Sequence, residues 1–239
     1  MKTKADLSSR VPALWDRSQT VIRAATLAAL GVFCAFVSII VVSPIYAEIS
    51  TIWSVFGNLL GGYVVQPGFG LVVLGYVRWR DDFRVMERIQ KPSAEGLGWV
   101  VAGVVGYQLS VNIITPLLPV VGLSHGGHSG GVSKWRVFVE QPELAVPGLA
   151  IMFLVMAPIE ELLFRGVIHD TLEDAFEASG RVVIGALLFG GIHFLLSGGL
   201  VSVIFTFCGG LLWGAGYERT KNLSVPILAH AGYWLLLPV

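Results

Sequence analysis

Residues 157–166 read APIEELLFRG and close an apolar run, PGLAIMFLVM, long enough to enter a membrane. An ionised carboxylate at membrane depth costs roughly 2.5–3.5 kcal/mol on insertion scales, so such groups face a protein interior or a wet cavity. Two adjacent ones, Glu160 and Glu161, need a specific reason. On a helix Glu161 and Arg165 stand one turn apart in the favoured acid-first order, whereas Glu160 is rotated about 100° from Glu161. Glu161 is therefore expected to pair with Arg165 and leave Glu160 available. Pro158 removes a backbone donor and is expected to open the helix there, admitting water. The plainer reading is an interfacial charge cluster at a helix end.

Two further polar groups weigh against that plainer reading. VVIGALLFGGIHFLLSG carries His193 as its only ionisable side chain, with Phe189 one turn earlier, and LSVPILAHAGYWLLLPV carries His230 alone. Singly, each would be a hydrogen-bonded packing residue. Two histidines and a carboxylate pair on three separate spans of one small bundle are best buried against one another, in one cavity. Two chemistries fit. In the first, a glutamate and a histidine activate water for attack on a carbonyl, and the second histidine donates to the oxyanion. In the second, Glu160, His193 and His230 hold Zn²⁺ or another divalent metal, which lowers the pKa of bound water. Adjacent glutamates do not point easily at one ion and no HExxH spacing is present, so the metal-free version, with no cofactor, is preferred. Ser197, Ser202, Thr206 and Cys208 sit in no turn motif that would activate a nucleophile.

The elements that must position these groups are membrane helices. Hydrophobic residues make up 54% of the chain and charged ones 13%, against about 25% charged in soluble domains, and mean hydropathy is +0.74. Runs near the roughly 20 residues of a helical crossing occur at 21–46, 53–77, 97–121, 147–165, 181–197, 198–216 and 223–238. The expected fold is all-α, a polytopic bundle of about seven (six to eight) spans. Lys2, Lys4, Arg10, Arg17 and Arg23 precede the first run, Arg78, Arg80, Arg84, Arg88 and Lys91 follow the second, Arg181 opens the fifth, and Arg219 and Lys221 follow the sixth. All of these fall on one side, with only Lys134 and Arg136 opposite, so a cytoplasmic N-terminus follows from the positive-inside rule. That topology places EELLFR near the cytoplasmic end of span four. The first apolar run is too long for a signal-peptide core and is read as a retained span of a multi-pass protein of the plasma membrane.

The remaining features say less. A zero net charge gives no field for nucleic acid, which is not expected as a partner. Cys34 and Cys208 lie inside spans and read as small apolar residues. RWRDDFRVMERIQKPSAEG at 78–96, with Val85, Met86 and Ile89 at helical spacing, suits a short amphipathic helix on the membrane surface. His125 and His128 sit among glycines that supply nothing to orient a metal ligand. Gly57 with Gly61, and Gly210 with Gly214, have the spacing of close helix packing in lipid. No internal repeat supports a transporter.

EELLFR, FGGIH and PILAH, in this order and membrane setting, resemble the CPBP (Abi) family, which groups CAAX prenyl endopeptidases with bacteriocin-processing and immunity proteins. The resemblance covers about residues 145–238. It divides one membrane domain into a cytoplasmic segment 1–20, N-terminal spans and loops 21–144, and a catalytic core 145–239. It implies an intramembrane endopeptidase whose cavity opens to the cytoplasm and sideways to lipid. Glu160 would be the general base acting with His193 on water, Glu161 and Arg165 a structural and electrostatic pair, and His230 an oxyanion donor. Phe189 and Trp234 would contact substrate, a peptide or protein with or without a lipid group, reached from the surrounding membrane lipid. The family's last motif is commonly HxxxN, whereas HAGYW places Trp234 at the asparagine position. That departure favours a second reading, a non-catalytic scaffold or bacteriocin-immunity protein of the same fold; a third is a proton-coupled carrier.

Overall fold

The computed structural model describes residues 4–124, 134–197 and 199–236, which form helices and turns with no strand among them. His125 and His128 lie outside the described residues. Helix α1 spans Lys4–Ile52, with its apolar length at Trp15–Ile52. The chain folds back through α2 (Ser54–Gly61) into α3 (Gln66–Trp79). Both lie close against α1: a Cβ on Gly57 would collide with Ser50, and one on Gly68 with the Cys34 backbone. The Ser38 hydroxyl donates to the Val64 carbonyl at 2.7 Å, locking the α2–α3 turn to α1. A single turn α4 (Val85–Arg88) leads to α5 (Ala94–Ile114), which tightens into a 3₁₀ segment at Thr115–Val121. After α6 (Lys134–Glu140), the helical run α7 (Pro142–Glu173) carries the EELLFR motif, followed by α8 (Ala178–Leu196), α9 (Leu200–Thr220) and α10 (Ser224–Leu236).

Five of these, α1, α5 with its 3₁₀ extension, α7, α8 and α9, are long and apolar enough to cross a membrane. Two of the seven expected spans take another form. The run 53–77 is broken at residues 62–65, after the Gly61–Gly62 pair, and returns as the 14 residues of α3, about 21 Å of helix. The run 223–238 yields the 13 residues of α10. The helices expose large apolar side chains such as Phe33, Ile40, Leu117 and Leu154 on their outer faces, as lipid contact requires. Small residues also set the close contact of α8 with α9, where a Cβ on Gly210 would meet the Ala186 Cα at 2.8 Å.

The two ends of the bundle differ. At one lie the start of the apolar part of α1, the α3–α5 connection, the α7–α8 turn and the α9–α10 turn, carrying Arg78, Arg80, Arg84, Arg88, Lys91, Arg181, Arg219 and Lys221. At the other lie the α2–α3 turn, α6 and the α8–α9 turn, with Lys134 and Arg136. The expected amphipathic helix over 78–96 is only the turn α4. Phe83 is buried instead, under the Arg88 guanidinium at 4.4 Å from its ring centre, because Arg88 reaches inward to Asp170. EELLFR is also deeper than expected. Glu160 precedes the end of α7 at Glu173 by 13 residues, about 20 Å of helix, because α7 continues as a buried element whose His169 and Asp170 find partners on neighbouring segments.

Candidate active site

Helix α7 is not regular where it carries the motif. π-helical turns at Met152–Met156 and Leu162–Ile168 flank the regular turn Ala157–Glu161. Pro158 has no amide hydrogen for the preceding turn, and a wider turn is one way a helix absorbs that loss. The two widened turns present Glu160 and Glu161 on different sides of α7.

Glu161 points into protein and is fully buried, as is Arg165. Arg165 Nη1 lies 2.8 Å from Glu161 Oε2, and Nη2 donates to the Gly210 carbonyl of α9 at 3.1 Å. The guanidinium also stacks over Phe189 and Trp213, at 4.8 and 5.7 Å from their ring centres, which adds cation–π attraction in a dry setting. The expected Glu161–Arg165 pair is therefore present. A third member joins it: His230 Nδ1 donates to Glu161 Oε1 at 2.7 Å.

Glu160 takes the other side. Gln66 Nε2 donates to Glu160 Oε1 at 2.6 Å, while His230 Nε2 stands 3.9 Å from Oε2, a gap wide enough for a bridging water. The His230 ring is held face to face with Trp213, with centroids 4.2 Å apart and planes at 14°, and is nearly parallel to Tyr233 on α10. His193 Nδ1 donates to the Phe189 carbonyl at 2.7 Å. In the neutral ring this makes Nε2 the acceptor. Phe189 packs edge-on to both histidines.

A cavity of about 440 Å³ collects these groups. Glu160, Phe189, His193, His230 and Trp234 all line it, and Glu161 and Arg165 stand behind its wall. At the α6 end it is lined by Gly62 and Tyr63 of the α2–α3 turn, Lys134 and Ser197. The Lys134 ammonium lies 5.9 Å from the Trp234 ring centre, and burial pushes its pKa down. Toward the opposite end Leu163, Phe164, Val167 and Ile168 are fully buried, and beyond them Arg88, His169, Asp170, Arg181 and Glu218 line a second cavity of about 210 Å³. Among the described residues no group of three or more His, Cys, Asp or Glu side chains is placed to hold a metal ion.

Glu160, Phe189, His193, His230 and Trp234 meet around this cavity with Glu161 and Arg165 behind them, but two partners have no motif. Gln66 lies in the broken run 53–77, where an amide in a mostly apolar stretch was the available signal. Trp213, on α9, looks in sequence like any lipid-facing aromatic. A second polar cluster was also missed. His169 Nδ1 lies 3.2 Å from Glu218 Oε1, Arg181 grips Glu218 through two contacts of 2.8 Å, and Asp170 receives Arg88 and the Tyr76 hydroxyl.

Residues 142–236 match the model of the family described as type II CAAX prenyl endopeptidase Rce1-like. The uncharacterized protein YpbD of Bacillus subtilis (strain 168) is 30% identical over 132 residues, which make up 53% of this chain and 63% of that relative. The chain thus spans less of YpbD than its full length. No solved structure matches.

Proposed function

We propose, for a chain whose residues 142–236 match the model of the type II CAAX prenyl endopeptidase Rce1-like family, that Glu160 activates water to hydrolyse a peptide bond of a membrane-associated substrate. The observation that carries this reading is the asymmetry of the glutamate pair: Glu161 is locked to Arg165 and His230, while Glu160 lines the cavity beside both histidines. A water between Glu160 Oε2 and His230 Nε2 gives up a proton to Glu160 as its oxygen bonds to the carbonyl carbon. The Glu161 carboxylate stabilises a second proton on His230, whose Nε2–H then donates to the developing oxyanion. Collapse of the tetrahedral intermediate breaks the C–N bond, and the departing amine takes the proton from Glu160. His193, oriented by its bond to the Phe189 carbonyl, offers an acceptor to the same water. Gln66 holds Glu160 in place, and Phe189 and Trp234 contact the substrate. No step runs through a metal.

A non-catalytic role in holding a peptide or partner helix is favoured by one feature, Trp234 at the position where the family pattern carries asparagine. A carrier would need a path between the two ends, where the layer of Leu163, Phe164, Val167 and Ile168 lies.

Cleavage of a quenched peptide library, with and without a C-terminal prenyl-cysteine, tests the proposal. Purified protein and its Glu160→Gln variant are compared with and without chelator. Turnover lost in the variant and resistant to chelator is expected. Loss to chelator would transfer the chemistry to a metal, and turnover retained by the variant would remove Glu160 from the mechanism.

A further inference from the structure

We infer that Lys134 is a specificity residue of the cavity: its ammonium binds a carboxylate carried by the substrate, so that peptides with an acidic side chain or a free carboxyl terminus near the cleaved bond are preferred. The substrate part of this inference rests on the peptidase reading above; the affinity of the cavity for a carboxylate does not. Two observations carry it, the charge of the cavity lining and the way α6 turns Lys134 inward.

Lys134 is the one lysine or arginine lining the cavity of about 440 Å³, where the other ionisable groups are Glu160, His193, His230, Tyr63 and Tyr233. It is half-buried, and among the described residues it has no carboxylate partner. Its ammonium lies instead 5.9 Å from the Trp234 ring centre. An indole face attracts a cation without accepting its N–H donors as an oxygen does. Burial pushes the Lys134 pKa down, because a charge there is poorly solvated, and an arriving carboxylate offsets that penalty. A peptide bearing a negative group therefore finds a single complementary charge in the lining.

Arg136 on the same helix makes the contrast. Two residues along α6, it is rotated about 200° from Lys134, is exposed, and pairs with Glu140 one turn on. Lys134 stands one turn before Phe138, which is buried in a cluster with Ile227 and Ala231 of α10. The packing of Phe138 thus turns Lys134 toward α10, where Trp234 follows His230 by one turn. Ring contacts of 5.7 Å from His230 to Tyr233 and 5.4 Å from Tyr233 to Trp234 lead from His230 to the indole that holds the ammonium. Extended peptide advances about 3.4 Å per residue, which places the bound carboxylate within about five residues of the cleaved bond. Lys134 lies outside residues 142–236, which match the family model, so the preference belongs to this chain's own cavity.

Quenched peptides test the assignment with the purified full chain. A single glutamate is walked along the sequence, each peptide is paired with its glutamine counterpart, and each is made with an amidated or a free carboxyl terminus. The unaltered protein is expected to favour a glutamate peptide over its pair, or a free terminus over the amide, by about tenfold in kcat/KM, between the weight of an exposed and of a fully desolvated ion pair. The first preference identifies a side chain as the source of the carboxylate, the second a chain end. The ratio should collapse toward one in Lys134→Gln, persist in Lys134→Arg, and turn in favour of a lysine peptide in Lys134→Glu. Equal turnover of every pair, or a preference that survives Lys134→Gln, would overturn the inference. Should no peptide be cleaved, fluorescence anisotropy of the same peptides on the unaltered protein separates the two readings. Tighter binding of a carboxylate peptide, lost in Lys134→Gln, would leave the Lys134 assignment standing while the peptidase reading falls; equal binding of the pairs would sink both.

Discussion

Helix α7 carries two buried acid–base clusters about two turns apart, and they are built on opposite plans. In the lower one, Glu218 is held at once by Arg181, His169 and Lys221, and Asp170 by Arg88 and Tyr76. Each carboxylate there has more than one partner from another part of the chain, and the cluster ties α7, α8, α9 and the α3–α5 connection together. In the upper one the partners are unequal. Glu161 has Arg165 and His230, whereas Glu160 has one amide and a histidine nitrogen at 3.9 Å. A saturated cluster contributes rigidity, and an unsaturated one beside a cavity keeps a carboxylate oxygen for chemistry. The upper site needs both kinds of glutamate: the paired Glu161 compensates the buried cation and orients His230, so that Glu160 need not.

The sharpest break of this comparison is Glu160→Gln. The amide keeps the shape and loses the base, so turnover should fall by about 10²–10⁴-fold, the usual contribution of a positioned acid–base group, with thermal stability in detergent little changed. Next is Arg165→Leu. It leaves Glu161 as an uncompensated buried charge, a loss of about 3–5 kcal/mol, which chemical denaturation in micelles should read as a large drop in stability rather than a selective loss of rate. Glu218→Gln, in the lower cluster, removes the carboxylate from Arg181 and Lys221; a stability loss of about 1–3 kcal/mol is expected, with kcat unchanged wherever the protein stays folded. A kcat loss as deep as that of Glu160→Gln would erase the distinction between the clusters. The smallest effect is expected from Gln66→Leu, which removes the donor to Glu160: kcat should fall by less than in Glu160→Gln, with a stability change of about 1 kcal/mol.

The upper cluster was legible in sequence because its members are costly where they stand. A carboxylate pair, an arginine and two histidines in otherwise apolar runs announce themselves, and helical spacing already joins Glu161 to Arg165. The lower cluster was not legible, because His169, Asp170, Arg181 and Glu218 lie near helix ends, where charged residues ordinarily meet water or headgroups. Gln66 and Trp213 were invisible for a related reason: an amide and an indole are common in membrane helices, and only packing gives them a particular neighbour. The span boundaries failed where hydropathy alone was the signal. The run 53–77 carries no charge, yet Gly61 and Gly62 allow the chain to turn inside it and bring Gln66 against Glu160.

Composition and periodicity determined by themselves that this chain is an all-helical membrane protein, and the placement of charged residues within apolar runs determined which side chains would share a cavity. Both follow from the cost of moving polar groups into lipid, a property of each residue and its near neighbours. Tertiary structure alone decided which glutamate is paired and which amide and indole complete the site. Those outcomes depend on how far each helix runs past its neighbours, and that is set by contacts between residues distant in the chain, such as Gln66 with Glu160 and His230 with Glu161.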